Sequence, residues 1–231
     1  MRSTLRTRTW NGAAAAALLV TAALPAAADS TSTGGVALSA RISTLGVGLE
    51  LVAPLSERLN LRLAGTVGGI NYNDTQSDVD YRVEARLRTG GALFDWHPAG
   101  GGFRFSAGVL YNGNKLEGEA RPRTTTEIGD VEFSPEEIGT LTAAVEFPAL
   151  AGYAGIGFGN AAAPGSRWSV LFDLGVMFHA APEFTLSADG SKANNPLFRA
   201  ELEKERERIE NDYVRLARFY PVVSFGLAFR F

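Results

Sequence analysis

The chain has no cysteine, only two histidines, and no run of about twenty apolar residues long enough for a membrane-crossing helix. Each shortage removes a class of protein. Without cysteine there is no disulfide framework and no thiolate metal site. The two histidines, His97 and His179, fall next to turn residues, and neither belongs to an H-E-x-x-H motif; a G-x-S-x-G nucleophile elbow is missing as well. Positive charge is also short, with 22 Lys and Arg against 25 Asp and Glu. That balance gives no basic footprint for nucleic acid. No cofactor-binding pattern emerges: Gly155-Ile156-Gly157-Phe158-Gly159 lacks both the G-x-G-x-x-G spacing and a following helix. Asp74, Asp78 and Asp80 do not fit a calcium-loop spacing and read as a solvated loop.

What is present begins with a processing signal. Arg2, Arg6 and Arg8 precede an apolar run from Ala13 to Ala23, and Ala26-Ala27-Ala28 supplies small residues for cleavage. That order is a secretory signal peptide over residues 1–28, with Asp29 as the mature start and 29–231 as one domain. Losing the three arginines takes the net charge from -3 to about -6.

The mature chain is dominated by two-residue alternation, the signature of strands. Leu45, Val47, Leu49 and Leu51 alternate with small or polar residues, as do Leu59, Leu61, Leu63 and Val67. The pattern recurs at Tyr81 to Leu87, Phe103 to Tyr111, Leu141 to Phe147, Tyr153 to Phe158, Trp168 to Phe178 and Phe184 to Ala188. Polar loops are expected over 74–80 and 121–137. Several apolar faces approach the ~9–11 residues that cross a bilayer when tilted. Trp96, Phe103, Phe147, Trp168, Phe178, Phe229 and Phe231 sit near strand ends, where interfacial aromatic girdles belong. In lipid every backbone group must be paired, so such a sheet has to close. The expected fold is all-β, a closed antiparallel transmembrane β-barrel of eight to ten strands. Ten is preferred, with Gly35 to Ile42 as the added strand; eight follows if the Phe184 segment belongs to a loop.

One amphipathic helix precedes the last strand. Asn195-Pro196 reads as an N-cap followed by proline at the first helical position. Phe198, Leu202, Ile209, Tyr213 and Leu216 then share one stripe. Residues 196–216 are expected to cover a barrel mouth, and they are also the candidate surface for a partner.

The closing stretch, FYPVVSFGLAFRF, places Val223, Phe225, Leu227, Phe229 and Phe231 on one face. With Gly226, Phe229 and the terminal Phe231 it resembles the sorting signal of bacterial outer-membrane β-barrels. That resemblance implies the barrel-assembly machinery and outer-membrane lipids as partners. Six segments, TLGVGLELVAPLSERLNLR (44–62), LRTGGALFDWHP (87–98), GGFRFSAGVLYNGNKL (101–116), YAGIGFGNA (153–161), FDLGVMF (172–178) and the last strand, are similar to a widespread proteobacterial family of small outer-membrane barrel proteins. The resemblance speaks to fold and compartment and carries no catalytic residues across.

If the apolar faces meet lipid, Glu50, Arg62, Arg82, Glu84, Arg86, Arg88, Arg104, Glu146, Asp173 and Arg230 point inward. They either interlock as an Arg–carboxylate network filling the lumen or line a pore that selects anions. Gly46, Gly48, Gly155, Gly157 and Gly159 would leave room for the larger inward groups. Asp95-Trp96-His97-Pro98 puts an acid near an imidazole, but His97 reads as an interfacial anchor beside Trp96 rather than a general base. The expected role is a structural or surface-exposed envelope protein, not an enzyme. A small channel for ions or anionic solutes is the alternative, and a lipid-modifying enzyme comes third.

Overall fold

The computed structural model describes residues 34–76, 79–212 and 217–231. The expected signal segment, Asp78, Tyr213 and Leu216 lie outside the described residues. In chain order the elements are β1 (Ala37–Ser43), β2 (Gly46–Ser56), β3 (Leu59–Gln76), β4 (Val79–Trp96), β5 (Phe103–Asn112), β6 (Lys115–Pro122), β7 (Thr126–Ile128), β8 (Val131–Phe133), α1 (Pro135–Ile138), β9 (Leu141–Glu146), β10 (Leu150–Phe158), β11 (Trp168–Phe178), β12 (Glu183–Ala188), α2 (Pro196–Asp212) and β13 (Phe219–Arg230).

Eight of these strands form a ring closed by hydrogen bonds, β1-β2-β3-β4-β5-β10-β11-β13 and back to β1, every pair antiparallel. The seam joins the two ends of the chain, Ala37 facing Arg230 and Ser43 facing Ser224. At the end of the ring that holds the termini, β2 turns into β3 at Glu57-Arg58, β4 into β5 through 97–102 and β10 into β11 through 159–167. At the other end the β1–β2 turn, Thr44-Leu45, is short, and it uses Gly46 with φ +110. A side chain there is excluded on both counts, because its Cβ would lie 2.3 Å from the Val67 carbonyl oxygen.

The Leu141 and Phe184 segments were expected as strands of the ring, and the structure places them above it. β6 continues β5 along β4 in one register, with Thr89 opposite Asn112 and Arg86 opposite Lys115. β9 leads into β10 in the same way, Glu146 facing Lys115 and Leu150 facing Tyr111. β12 then adds to β9. The upper halves of β3 and β4, with β6, β9 and β12, therefore stand as a wall on one side of the ring. The 74–80 loop shrinks accordingly: β3 and β4 pair without a break up to Gln76 opposite Val79.

The two faces of this sheet exchange character partway up. In the ring the outward residues are apolar and exposed, β11 presenting Trp168, Val170, Phe172, Leu174, Val176 and Phe178. On β4, Trp96, Phe94 and Ala92 point out while Asp95, Leu93 and Thr89 point in. The strand then continues regularly, so Arg88, Arg86, Glu84 and Arg82 stay on the outer side, and Leu87, Ala85, Val83 and Tyr81 on the inner. Above Thr89 the inner face is the apolar one. Part of it is covered by a small upper core in which Ile128, Phe133, Ile138 and Phe198 pack with Val131, Leu141, Ala188 and Leu202. The 121–137 segment, expected as a loop, supplies β7, β8 and part of α1 to that core.

The start of α2 follows the sequence signals. Asn195 Oδ1 accepts hydrogen bonds from the backbone N–H of Leu197 (2.9 Å) and Phe198 (3.3 Å), as an N-cap should. Phe198 is fully buried against Phe133 with the rings edge to face at 4.8 Å. Glu201 accepts from the Asp130 N–H at 2.9 Å and ties the helix to the β7–β8 turn.

Candidate functional site

Six charged side chains converge inside the ring: Arg41 from β1, Glu50 from β2, Arg62 from β3, Asp95 from β4, Arg104 from β5 and Asp173 from β11. Each side chain is 7% exposed or less. Three cations meet three anions, so the cluster is neutral, which a space this dry requires.

Asp173 is the centre. It pairs with Arg41, with Arg62 at 3.4 Å and with Arg104 at 2.7 Å, and it accepts a hydrogen bond from Ser224 at 3.3 Å. Arg62 also binds Asp95 at 2.8 Å and lies 3.5 Å from Glu50. Arg41 Nε approaches Glu50 to 2.5 Å, a contact of charge without hydrogen-bond alignment. The remaining lone pairs are filled by hydroxyls, Ser106 donating to Asp95 at 2.6 Å and Ser39 to Glu50 at 3.2 Å.

Two glycines let these pairs form across an intervening strand. Gly157 lies between its ladder partners Arg104 and Asp173, and a Cβ there would come within 2.7 Å of the Asp173 carboxylate and 2.8 Å of the Arg104 guanidinium. Gly226 faces Arg41 across the seam, and its Cβ would stand 2.7 Å from Arg41 Cγ. Gly155 clears the Tyr153 hydroxyl, whereas Gly46 and Gly159 serve positive-φ backbone instead. Apolar layers close the cluster on both sides. Leu45, Leu93, Leu110, Ala151, Tyr153, Met177 and Val222 lie toward the wall. Ala37, Val52, Ala161, Ala162, Leu171 and Ala228 lie toward the termini. A cavity of about 10 Å³ between Arg62, Asp95, His97 and Arg104 holds one water at most.

Of the ten inward charges expected from the sequence, the structure brings together Glu50, Arg62, Arg104 and Asp173. Arg230 is half-buried at the seam's end, its Nε 3.4 Å from the Ser166 carbonyl. Arg82, Glu84, Arg86, Arg88 and Glu146 are outside, on the outer face of the wall. There Arg86 pairs with Glu84 (2.6 Å), Arg82 loosely with Glu119 (3.7 Å), and Lys115 with Glu146 (2.7 Å). The expectation failed because it held the apolar side of β4 outward along the whole strand. Arg41 and Asp95 are the members that sequence reasoning missed. Both had a signal: Arg41 alternates with Ala40 and Ile42, and Asp95 with Phe94 and Trp96.

His97 is anchored rather than poised. Its Nδ1–H donates to the Gly101 carbonyl (2.9 Å), which leaves Nε2 to accept from the Asn60 amide at 3.2 Å. Asp95 is engaged by Arg62 and Ser106 instead. His97 lies in the turn after β4, where burial, with Arg104 nearby, pushes its pKa below the usual imidazole value. Folding therefore discriminates against the protonated ring. The stability it contributes is whole above about pH 6.5 and is lost as pH falls through the lowered folded value. The unfolding midpoint should drop between pH 7.5 and 5.5, and that component should vanish in His97→Gln; an identical drop in the variant would show that His97 does not carry it. His179 sits at the opposite end of the ring, edge-on to Phe147 at 5.4 Å. Gly226, Phe229 and Phe231 close the last strand; the Phe229 ring meets Trp168 at 5.0 Å and Phe231 at 5.5 Å.

No protein-family model and no curated protein matches the chain. Among solved structures it is similar to Acinetobacter baumannii CarO2, with a TM-score of 0.60 and 20% identity over 85% of this chain and 98% of that one. CarO from the same organism matches with a TM-score of 0.59 and 18% identity over 87% and 100%. A major outer membrane protein from Thermus thermophilus matches at 0.41 and 16% identity, over 85% and 98%. The likeness to the two Acinetobacter baumannii chains is one of fold.

Proposed function

We propose that this chain is an integral outer-membrane β-barrel with a plugged lumen and a surface-exposed envelope role. The observation that carries the reading is the interior: six interlocked charges between two apolar layers, with a cavity of only about 10 Å³ beside Arg62, Asp95 and Arg104. Eight strands enclose a space that side chains can just fill, so a filled interior is the physical default for this ring. Membrane residence is supported by the exposed apolar belt. From Trp168 to Phe178 the belt covers eleven residues. Tilted, that is ~25 Å of height, the hydrocarbon band of an outer-membrane barrel. Aromatic rings cluster at one rim of the belt, with Trp96 on Phe105, Phe105 on Phe103, and Trp168 on Phe229.

The chain reaches the membrane, on this reading, after removal of residues 1–28, with its last strand recognised by the assembly machinery. The wall and α2 then stand on the cell surface, and the end of the ring that holds the termini faces the periplasm. Conduction is the test. Purified protein reconstituted into planar bilayers is expected to give no steady current, because no ion can pass without breaking charge pairs. Stable single-channel currents from the wild type would replace this reading with the channel.

A further inference from the structure

The level at which the outer face turns from apolar to charged marks more than the end of the belt. On the outer side of β4 and its neighbours, Phe94 and Ala92 give way to Arg88, Arg86 and, opposite Arg86, Lys115. Arg88 is exposed, and among the described residues its guanidinium makes no hydrogen bond or ion pair. Among the described residues Arg86 pairs with the exposed Glu84 and Lys115 with the exposed Glu146, Glu117 lies near both cations, and Glu183 completes the same row of the sheet. Exposed pairs of this kind contribute little and exchange readily. Three cations thus form a collar where the acyl chains would end.

Above the collar the same face stays polar. Asn71, Glu84 and Glu117 form the next row, and Asn73, Arg82 and Glu119 the one after. The face ends in an open cleft of about 650 Å³ lined by Asn73, Asp74, Asp80, Tyr81, Arg82, Glu119, Arg121 and Thr140. From Arg86 to Asp80 the strand runs six residues, ~20 Å along its length at 3.3 Å each and ~15 Å of height at the tilt of the ring. A phospholipid head-group layer is only ~5–7 Å deep. Such a head group ends at the collar and leaves the cleft bare. The whole face is matched by a head group that carries phosphate at the acyl boundary and sugars above it. The lining suits sugars, with amide, carboxylate, guanidinium and hydroxyl groups of nearly balanced charge.

We infer that the outer face of the wall is a docking surface for a phosphorylated glycolipid of the outer leaflet. Arg86, Arg88 and Lys115 receive its phosphate, and the cleft above them receives its saccharide. The inference rests on the membrane reading above.

The test reconstitutes the full mature protein into vesicles of zwitterionic phosphatidylcholine alone, or doped with phosphatidylglycerol, or doped with rough lipopolysaccharide. Protease protection of the belt reports insertion, and mass spectrometry of gently re-extracted protein reports retained lipid. Insertion is expected in all three, with lipopolysaccharide retained over phosphatidylglycerol. The double variant R86A/R88A should insert normally and retain roughly ten- to thirty-fold less. The variant Thr140→Trp, which fills the cleft and leaves the collar intact, should reduce retention of lipopolysaccharide but not of phosphatidylglycerol. Normal insertion with equal retention of the two anionic lipids, or retention untouched by R86A/R88A, would overturn the glycolipid site and leave the membrane reading standing. Failure of the wild type to insert into any vesicle would overturn both.

Discussion

Replacing Asp173 with Ala is expected to lower the unfolding midpoint more than removal of any other carboxylate in the ring, by the equivalent of roughly 3–5 kcal/mol. The argument is one of counting partners. Asp173 is the only anion of the cluster in contact with Arg41, Arg62 and Arg104 together, and it also holds Ser224. Glu50 and Asp95 each touch two of the three arginines. Truncation at 173 leaves three buried cations facing two anions, beside a cavity that admits one water at most. Asp173→Asn keeps the hydrogen-bonding shape but not the charge, so it should fall between wild type and Ala. Urea titrations in detergent, followed by the fluorescence of Trp96 and Trp168 in the belt, would measure all three. A midpoint unmoved by Asp173→Ala would mean that the arginines are hydrated, and the plugged interior would have to be abandoned.

Much of the fold was legible because the ring obeys one rule: its outward side chains are apolar and its charged ones are inside. Under that rule Glu50, Arg62, Arg104 and Asp173 fall inward from the sequence alone, and so does the seam strand around Arg41. The wall was not legible in the same way, because there the rule inverts. Tyr81, Val83, Ala85 and Leu87 alternate as cleanly as Phe94 and Trp96, but on the opposite parity, and β4 carries no bulge between them. A regular strand whose apolar side switches without a bulge must pass from one surrounding medium to another. Read in that way, the conflict between Leu87 and Phe94 locates the change of solvent at Thr89. The strand number suffered from the same cause, since Leu141 to Phe147 and Phe184 to Ala188 have apolar faces that look inward over the mouth. Pairing across the sheet, which no single strand reveals, was needed to set Asp95 beside Arg62.

Gly226 and Phe231 belong to the same terminal pattern, yet their removal should act at different stages. Gly226→Leu places a branched side chain where even a Cβ would lie 2.7 Å from Arg41 Cγ and 3.0 Å from the Ala40 carbonyl oxygen. Arg41 would have to leave Asp173 and Glu50, at the seam where the ring closes. Overpacking and a broken buried pair then act together, and refolding from urea into detergent micelles should give a folded-to-unfolded ratio lower by more than about ten-fold. Phe231 is 74% exposed and contributes an edge contact with Phe229 and one backbone hydrogen bond to Val36. Its deletion should cost only about 1 kcal/mol in the same refolding assay. In cells, on the proposed membrane reading, the order reverses in kind: without Phe231 a chain that can fold is expected to fail to reach the outer membrane, because the machinery proposed to recognise the last strand would lose its terminal aromatic. A heat-modifiable gel band is the expected readout of both experiments, since a closed barrel is expected to migrate differently until boiled. Efficient refolding of Gly226→Leu would show that Arg41 has room to move and that the glycine serves recognition instead. Normal outer-membrane levels after loss of Phe231 would show that recognition does not depend on the terminal ring.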